Sequence, residues 1–155
     1  MSLPLLHTPA DVLRWALVGL GAGADPNVVD GSGNPTGSWP LYVSSEPNLP
    51  DDVLTLFNTS PRQDGRSMID GEVWAHWGVQ LRIRGTDPRT LGTKAHSLYN
   101  LLNEGLYYHN VVIDGTPYVV YSASGVGLQD LGKDTPNSKR SLYTLNALIT
   151  LRRVA

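Results

Sequence analysis

Apolar and polar positions follow two periods along this chain, and each change of period marks an element. Val12, Leu13, Ala16, Leu17 and Leu20 recur at helical spacing. Thr8-Pro9-Ala10-Asp11 precedes them with a capping hydroxyl, a proline suited to the first helical position and a carboxylate at the positive end of the helix dipole. This predicts a helix ending at Gly21, with Trp15 at the margin of its apolar stripe. Residues 21–38 lose all periodicity. Gly, Ser, Asn, Pro and Asp dominate them, around Gly31-Ser32-Gly33-Asn34. A mobile loop is expected there, ordered on contact with a neighbour, and Asp30, Gly31 and Asn34 are its candidate contact residues.

Period two follows. Trp39–Ser44 reads as a short strand, and Val53–Thr59 as a β-rich one with partial alternation. Residues 60–71 read as a polar connection, with Asp64 and Arg66 as further partner-contact candidates. In Val73–Arg84 the alternation is cleanest. Val73, Ala75, Trp77, Val79, Leu81 and Ile83 share one face, and His76, Gln80, Arg82 and Arg84 the other. Asp87-Pro88 then opens a second helix, whose Leu91, Ala95, Leu98, Leu102 and Leu106 form a stripe. A hairpin is expected from Asn110–Ile113 and Tyr118–Ser122, because Asp114-Gly115 suits a type I′ turn. Pro117 belongs at an edge or beside the turn. Both hairpin faces are apolar, so the hairpin is either buried on both sides or paired with another chain. Residues 123–140 read as a polar, glycine-rich connection, and Ser141–Val154 as the last strand. The order predicts one domain over residues 1–155 of α+β class, a mostly antiparallel sheet with two helices packed on one face.

Composition narrows the function classes. Apolar residues make up 41% of the chain, enough for a core, while charged residues are only 17%, as fits either a surface partly covered by partners or a polar, Gly/Ser-rich loop. The net charge of −2 argues against bulk nucleic-acid binding. It is unevenly spread. Residues 1–61 hold Arg14 against Asp11, Asp25, Asp30, Glu46, Asp51 and Asp52, whereas residues 62–155 carry an excess of bases. Opposite signs suit head-to-tail or side-to-side docking, and chance variation on a solvated surface would look the same. With no cysteine, disulfides, thiolate metal sites and cysteine nucleophiles are excluded. The N-terminal residues lack a basic segment followed by an apolar one, and Val12–Ala24 is too short to span a bilayer, so a soluble protein made in the cytoplasm is expected, with no membrane partner.

Candidate chemistry is sparse. No pair among His7, His76, His96 and His109 has metal-site spacing on a helix, and the serines lack a nucleophile elbow. Gly19-Leu20-Gly21-Ala22-Gly23 follows a helix rather than a strand, which fits helix capping and not a phosphate loop. Asp51-Asp52 is a conceivable cation site and more simply a strand start. No enzymatic centre and no cofactor are expected. A small metal-dependent hydrolase using His76 is the competing class, and a monomeric binding module a third. Arg82 and Arg84, two residues apart on one strand face, are candidates to pair with a neighbouring subunit's carboxylates.

Five segments in order resemble the tail terminators of long-tailed bacteriophages. Pro50-Asp51-Asp52-Val53-Leu54-Thr55-Leu56-Phe57-Asn58-Thr59 is similar to that family's P-D-x-x-I-T-I-x-x-T strand, and Val79-Gln80-Leu81-Arg82-Ile83-Arg84-Gly85 to its V-Q-V-x-V-R-G strand. Lys94-Ala95 through Leu102 resembles its K-A-x-x-I-x-x-x-L helix. Ile113-Asp114-Gly115-Thr116-Pro117-Tyr118 resembles I-N-G-x-x-Y, with Asp114 where Asn is usual. Leu131-Gly132-Lys133-Asp134 followed by Arg140-Ser141-Leu142-Tyr143-Thr144-Leu145-Asn146 resembles L-G-x-D and R-x-x-F-S-L-N. The resemblance spans roughly residues 50–150. It implies a structural virion protein at the head-proximal end of the tail, forming a ring, usually a hexamer. The ring ends tube polymerisation and offers a surface for head joining. Its implied partners are the tail tube protein and a head-completion or connector protein, with DNA passing through the lumen without specific binding. A connector of related fold is the nearest alternative. Arg82, Arg84, Asp134 and Arg140 are the residues carried over as subunit-interface candidates.

Overall fold

The computed structural model describes residues 3–66 and 73–155. The first helix, α1, spans Pro9–Gly19. The Thr8 hydroxyl oxygen accepts from the Asp11 amide at 3.3 Å, so the proposed cap forms. The chain leaves α1 through Gly21 at φ +73°, a left-handed turn that suits glycine.

Six strands form one sheet in the order β1-β2-β3-β6-β5-β4. They are β1 (Leu41–Val43), β2 (Val53–Arg66), β3 (Val73–Gly85), β4 (Tyr107–Ile113), β5 (Thr116–Lys133) and β6 (Ser141–Arg153). Among the described strands, only β1 pairs in parallel, with β2, and the other strand pairings are antiparallel. The second helix, α2 (Pro88–Asn100), starts from Asp87 as its cap and continues into a wider π turn at Leu101–Gly105. That turn buries Leu102, and Leu106 just beyond it is also buried.

Both helices cover the same sheet face. Leu13 and Leu17 of α1, Leu91, Ala95 and Leu98 of α2, Val79, Leu81 and Ile83 of β3, and Leu145 and Ile149 of β6 belong to one buried cluster. Each buried leucine or isoleucine contributes roughly 1.5–3 kcal/mol, so this shared layer fixes the helices to the sheet. The fold is α+β, as the periodicities predict.

Two expected connections are instead strands. Residues 60–66 continue β2, and residues 123–133 continue β5. Pairing with β3 and β6 satisfies their backbone, so they need no apolar face. Register shifts between Thr59 and Arg62, Gln63 and Gly65, Val126 and Gln129, and Asp130 and Gly132 break the two-residue alternation, which is why these stretches read as loops. Asp64 lies in one of these shifts and Arg66 pairs with Val73, so both sit on a strand; their side chains lie outside the described residues, as do residues 67–72. At the first shift, Gly78 of β3 faces Thr59 so closely that a Cβ would lie 2.2 Å from its hydroxyl oxygen.

The 21–38 segment is irregular and carries its own hydrogen bonds. Ala24 bridges to Pro40 beside β1. The Asp30 carboxylate accepts from the amides of Ser32 at 2.8 Å and Asn34 at 3.1 Å, and the Asp30 amide donates to the Asn34 carbonyl at 2.8 Å. This makes a folded arm with Gly31 and Asn34 exposed at its tip. Its base is tied to α2 by Lys94, which donates to the Ala22 carbonyl and lies 5.9 Å from the Trp39 ring centre. Burial lowers the Lys94 pKa.

The β4–β5 turn has Asp114 at φ +48° and Gly115 at φ +77°, as a type I′ turn requires. Pro117 stands beside the turn opposite Val112. Val111, Ile113, Tyr118 and Val120 are buried, whereas Val112 is exposed and Val119 and Tyr121 are half-buried. No described helix is long and apolar enough to cross a membrane.

Candidate functional site

The four carried-over residues converge at one end of the sheet. Arg84, near the end of β3, is 3% exposed. The 46–51 loop, with a cis peptide at Leu49–Pro50, folds across it. Arg84 Nη2 donates to the carbonyls of Pro47 (2.8 Å), Asn48 (3.3 Å) and Pro50 (2.8 Å), and its Nε to that of Asp51 (3.2 Å). Its Nη1 lies 3.8 Å from Glu46. Burial lowers the Arg84 pKa and the Glu46 carboxylate opposes the shift. A planar fork with several donors can collect turn carbonyls that have no ladder partner.

Arg140 holds the same loop from its other side. Its Nε donates to Asp51 Oδ1 at 2.8 Å and its Nη2 to the Asn48 carbonyl at 2.6 Å. Arg82 lies 3.4 Å from Glu46 and 3.9 Å from Asp134. Asp134 and Arg140 pair through their backbones, Asp134 N–H donating to the Arg140 carbonyl at 2.8 Å. Their side chains part, one toward Arg82 and the other toward Asp51.

Arg84 and Arg140 are therefore engaged within the chain, and what they fix is the 46–51 loop. Arg82 and Asp134 stay partly open, with side-chain exposures of 31% and 27%. The loop presents Leu49 to solvent, 68% exposed. Glu46, Asn48 and Asp51 are the members that sequence reasoning missed. The available signal was a proline-flanked turn with an acid at each end, facing two arginines of one strand.

The histidines lie apart from this cluster. His76 Nδ1 is 2.6 Å from Thr150 Oγ1 across β3 and β6, His96 Nδ1 is 2.9 Å from the Gly92 carbonyl, and His7 Nδ1 is 2.8 Å from the Tyr118 hydroxyl. Among the described residues no three His, Asp or Glu side chains are grouped to hold a metal. Glu72, the acid nearest His76 in sequence, is outside them.

No protein family and no curated protein matches the chain. Among solved structures, a chain of the "Virion of native gene transfer agent (GTA) particle" is similar over 72% of this chain and 78% of its own length, at 8% identity and a TM-score of 0.45. A likeness at that level is too distant to carry an argument about function.

Proposed function

We propose that this chain is a phage tail terminator, a structural ring protein that caps the tail tube and offers a surface for head joining. The observation that carries the reading is the convergence of its motifs. Asp51 of the first segment, Arg84 of the second, and Asp134 and Arg140 of the last meet in one ion-pair cluster, although Asp51 and Arg140 are 89 residues apart. These segments lie on or beside β2, β3 and β6, which are neighbours in the sheet, so their polar ends meet at one end of it. Three of the five segments meet there, while Lys94 of the third donates to the Ala22 carbonyl and Asp114 of the fourth lies 3.7 Å from His7.

The division of labour follows from exposure. Arg84 and Arg140 hold the 46–51 loop, and Arg82 and Asp134 beside it are the residues left to meet a neighbouring subunit. Asp30, Gly31 and Asn34 at the tip of the arm are a second contact. A net charge of −2 suits a lumen through which DNA passes without being held. No catalytic step and no cofactor belongs to this role.

The test is tube capping in vitro. Tail tube protein of the same phage, polymerised with and without this chain, is followed by electron microscopy. A capping ring stops growth and adds density at one tube end. Tubes that lengthen at an unchanged rate, with both ends bare, contradict the reading.

A further inference from the structure

The 21–38 arm leaves the sheet as two legs that close on each other. Ala24 N–H donates to the Trp39 carbonyl at 3.1 Å, and Leu41 N–H to the Ala24 carbonyl at 3.0 Å. The legs approach so closely that a Cβ on Gly37 would overlap that of Ala24. Beyond this base the arm pairs with itself. Thr36 N–H donates to the Val28 carbonyl at 3.0 Å, and Val29 and Pro35 form a bridge. Asp30 closes the tip by accepting from the Ser32 and Asn34 amides. Bonds inside a segment hold its shape but do not set where it points.

Direction comes from two cations, one on each helix. Arg14 of α1 reaches Asp25, Nη2 to Oδ1 at 3.3 Å, and the two side chains are only 16% and 21% exposed, so salt screens this pair less than an open one. The Asp25 carboxylate also accepts from the Asn27 amide at 2.9 Å, and its carbonyl from Val28 N–H at 3.2 Å. Arg14 therefore grips the arm's first turn. Lys94 of α2 grips both legs, one through the Ala22 carbonyl and the other through the face of the Trp39 ring. Trp39 sits at φ +56°, a left-handed conformation that bulky residues rarely adopt. It packs its ring against the core while its carbonyl stays in the base. A residue held against its backbone preference is one that its surroundings fix in place.

We infer that Arg14 and Lys94 are positioning residues for the arm: they hold it as a pre-formed lever whose tip, Asp30, Gly31 and Asn34, meets a neighbouring subunit from a fixed direction. The role of the tip rests on the ring reading; the clamp rests on this chain alone. A pre-aimed element loses little freedom on contact, so releasing a clamp weakens the contact without altering any residue that makes it.

The test separates aim from shape. Lys94→Met and Arg14→Met, made singly in the full chain, keep an apolar stem and lose the charge and its donors. Amide hydrogen exchange followed by NMR is expected to quicken about ten-fold or more at Ala24 and Leu41 in the base. It is expected to stay unchanged at Asp30 and Thr36, whose partners lie within the arm, and at Leu81 in the core. If the aimed population falls about ten-fold, each variant needs about ten-fold more protein to cap tail tubes. Base amides that exchange as in wild type in both variants overturn the inference. So does exchange that quickens equally at Asp30 and Thr36, because the arm would then be a loop without a shape of its own. Base amides that quicken while capping is unchanged overturn the arm's role and leave the ring reading intact. A wild-type chain that fails to cap tubes sinks the ring reading and the tip's role with it, and leaves the clamp standing on the exchange result.

Discussion

At the scale of single residues, Arg84 decides more than any other polar side chain. It lies 3.8 Å from Glu46 and donates to the Pro47 and Pro50 carbonyls of the turn. Arg84→Ala leaves those groups desolvated and unpaired and is expected to cost about 3–5 kcal/mol in urea denaturation. Arg84→Lys keeps the charge and loses the fork, so it should recover only part of that loss. A cost below about 1 kcal/mol for Arg84→Ala would mean that the loop is held by something else. The placement of Arg82 and Arg84 on one strand face was legible from period two. Their partners were not, because Glu46 and Asp51 lie in or beside a turn, where no periodicity maps a residue to a direction. Contacts between segments 89 residues apart leave no local trace.

At the scale of elements, helix starts were legible and strand ends were not. Thr8-Pro9 and Asp87-Pro88 each place a cap and a proline where backbone geometry demands them, and both helices begin there. The Asp87 carboxylate accepts from the Thr90 hydroxyl and from the Arg89 and Thr90 amides, and the Thr90 bond contributes most to holding its pKa below the ordinary 3.8. A pKa depressed in the folded state means stability that is fully present above 3.8 and lost as pH falls through the folded value. Thermal melts from about pH 5 to about pH 2 should therefore show a larger loss for wild type than for Asp87→Asn. Equal acid sensitivity in the two would contradict this assignment. Strands β2 and β5 outran their apolar patterns because a paired strand beyond the core needs only a backbone partner, and bulges then scramble the alternation. Gly78, packed against the first bulge, marks such a close approach.

At the scale of the whole molecule, the sheet has one guarded edge and one bare edge. On the first side, β1 is short and the arm bridges beside it; on the other, β4 presents tyrosines and a valine to solvent. The sequence left open whether the hairpin is buried on both faces or paired with another chain, and the 64% exposure of Val112 shows that it is not buried on both faces. The architecture followed from periodicity alone, whereas the ring role rests on the ordered motifs and their convergence at the arginine cluster. The most direct measurement of that role is the tail-length distribution, by electron microscopy, of phage particles assembled without this protein. A terminator's loss should give tails far longer than normal, variable in length and separated from heads. Tails of normal, uniform length beside leaking heads would contradict it and point to a connector.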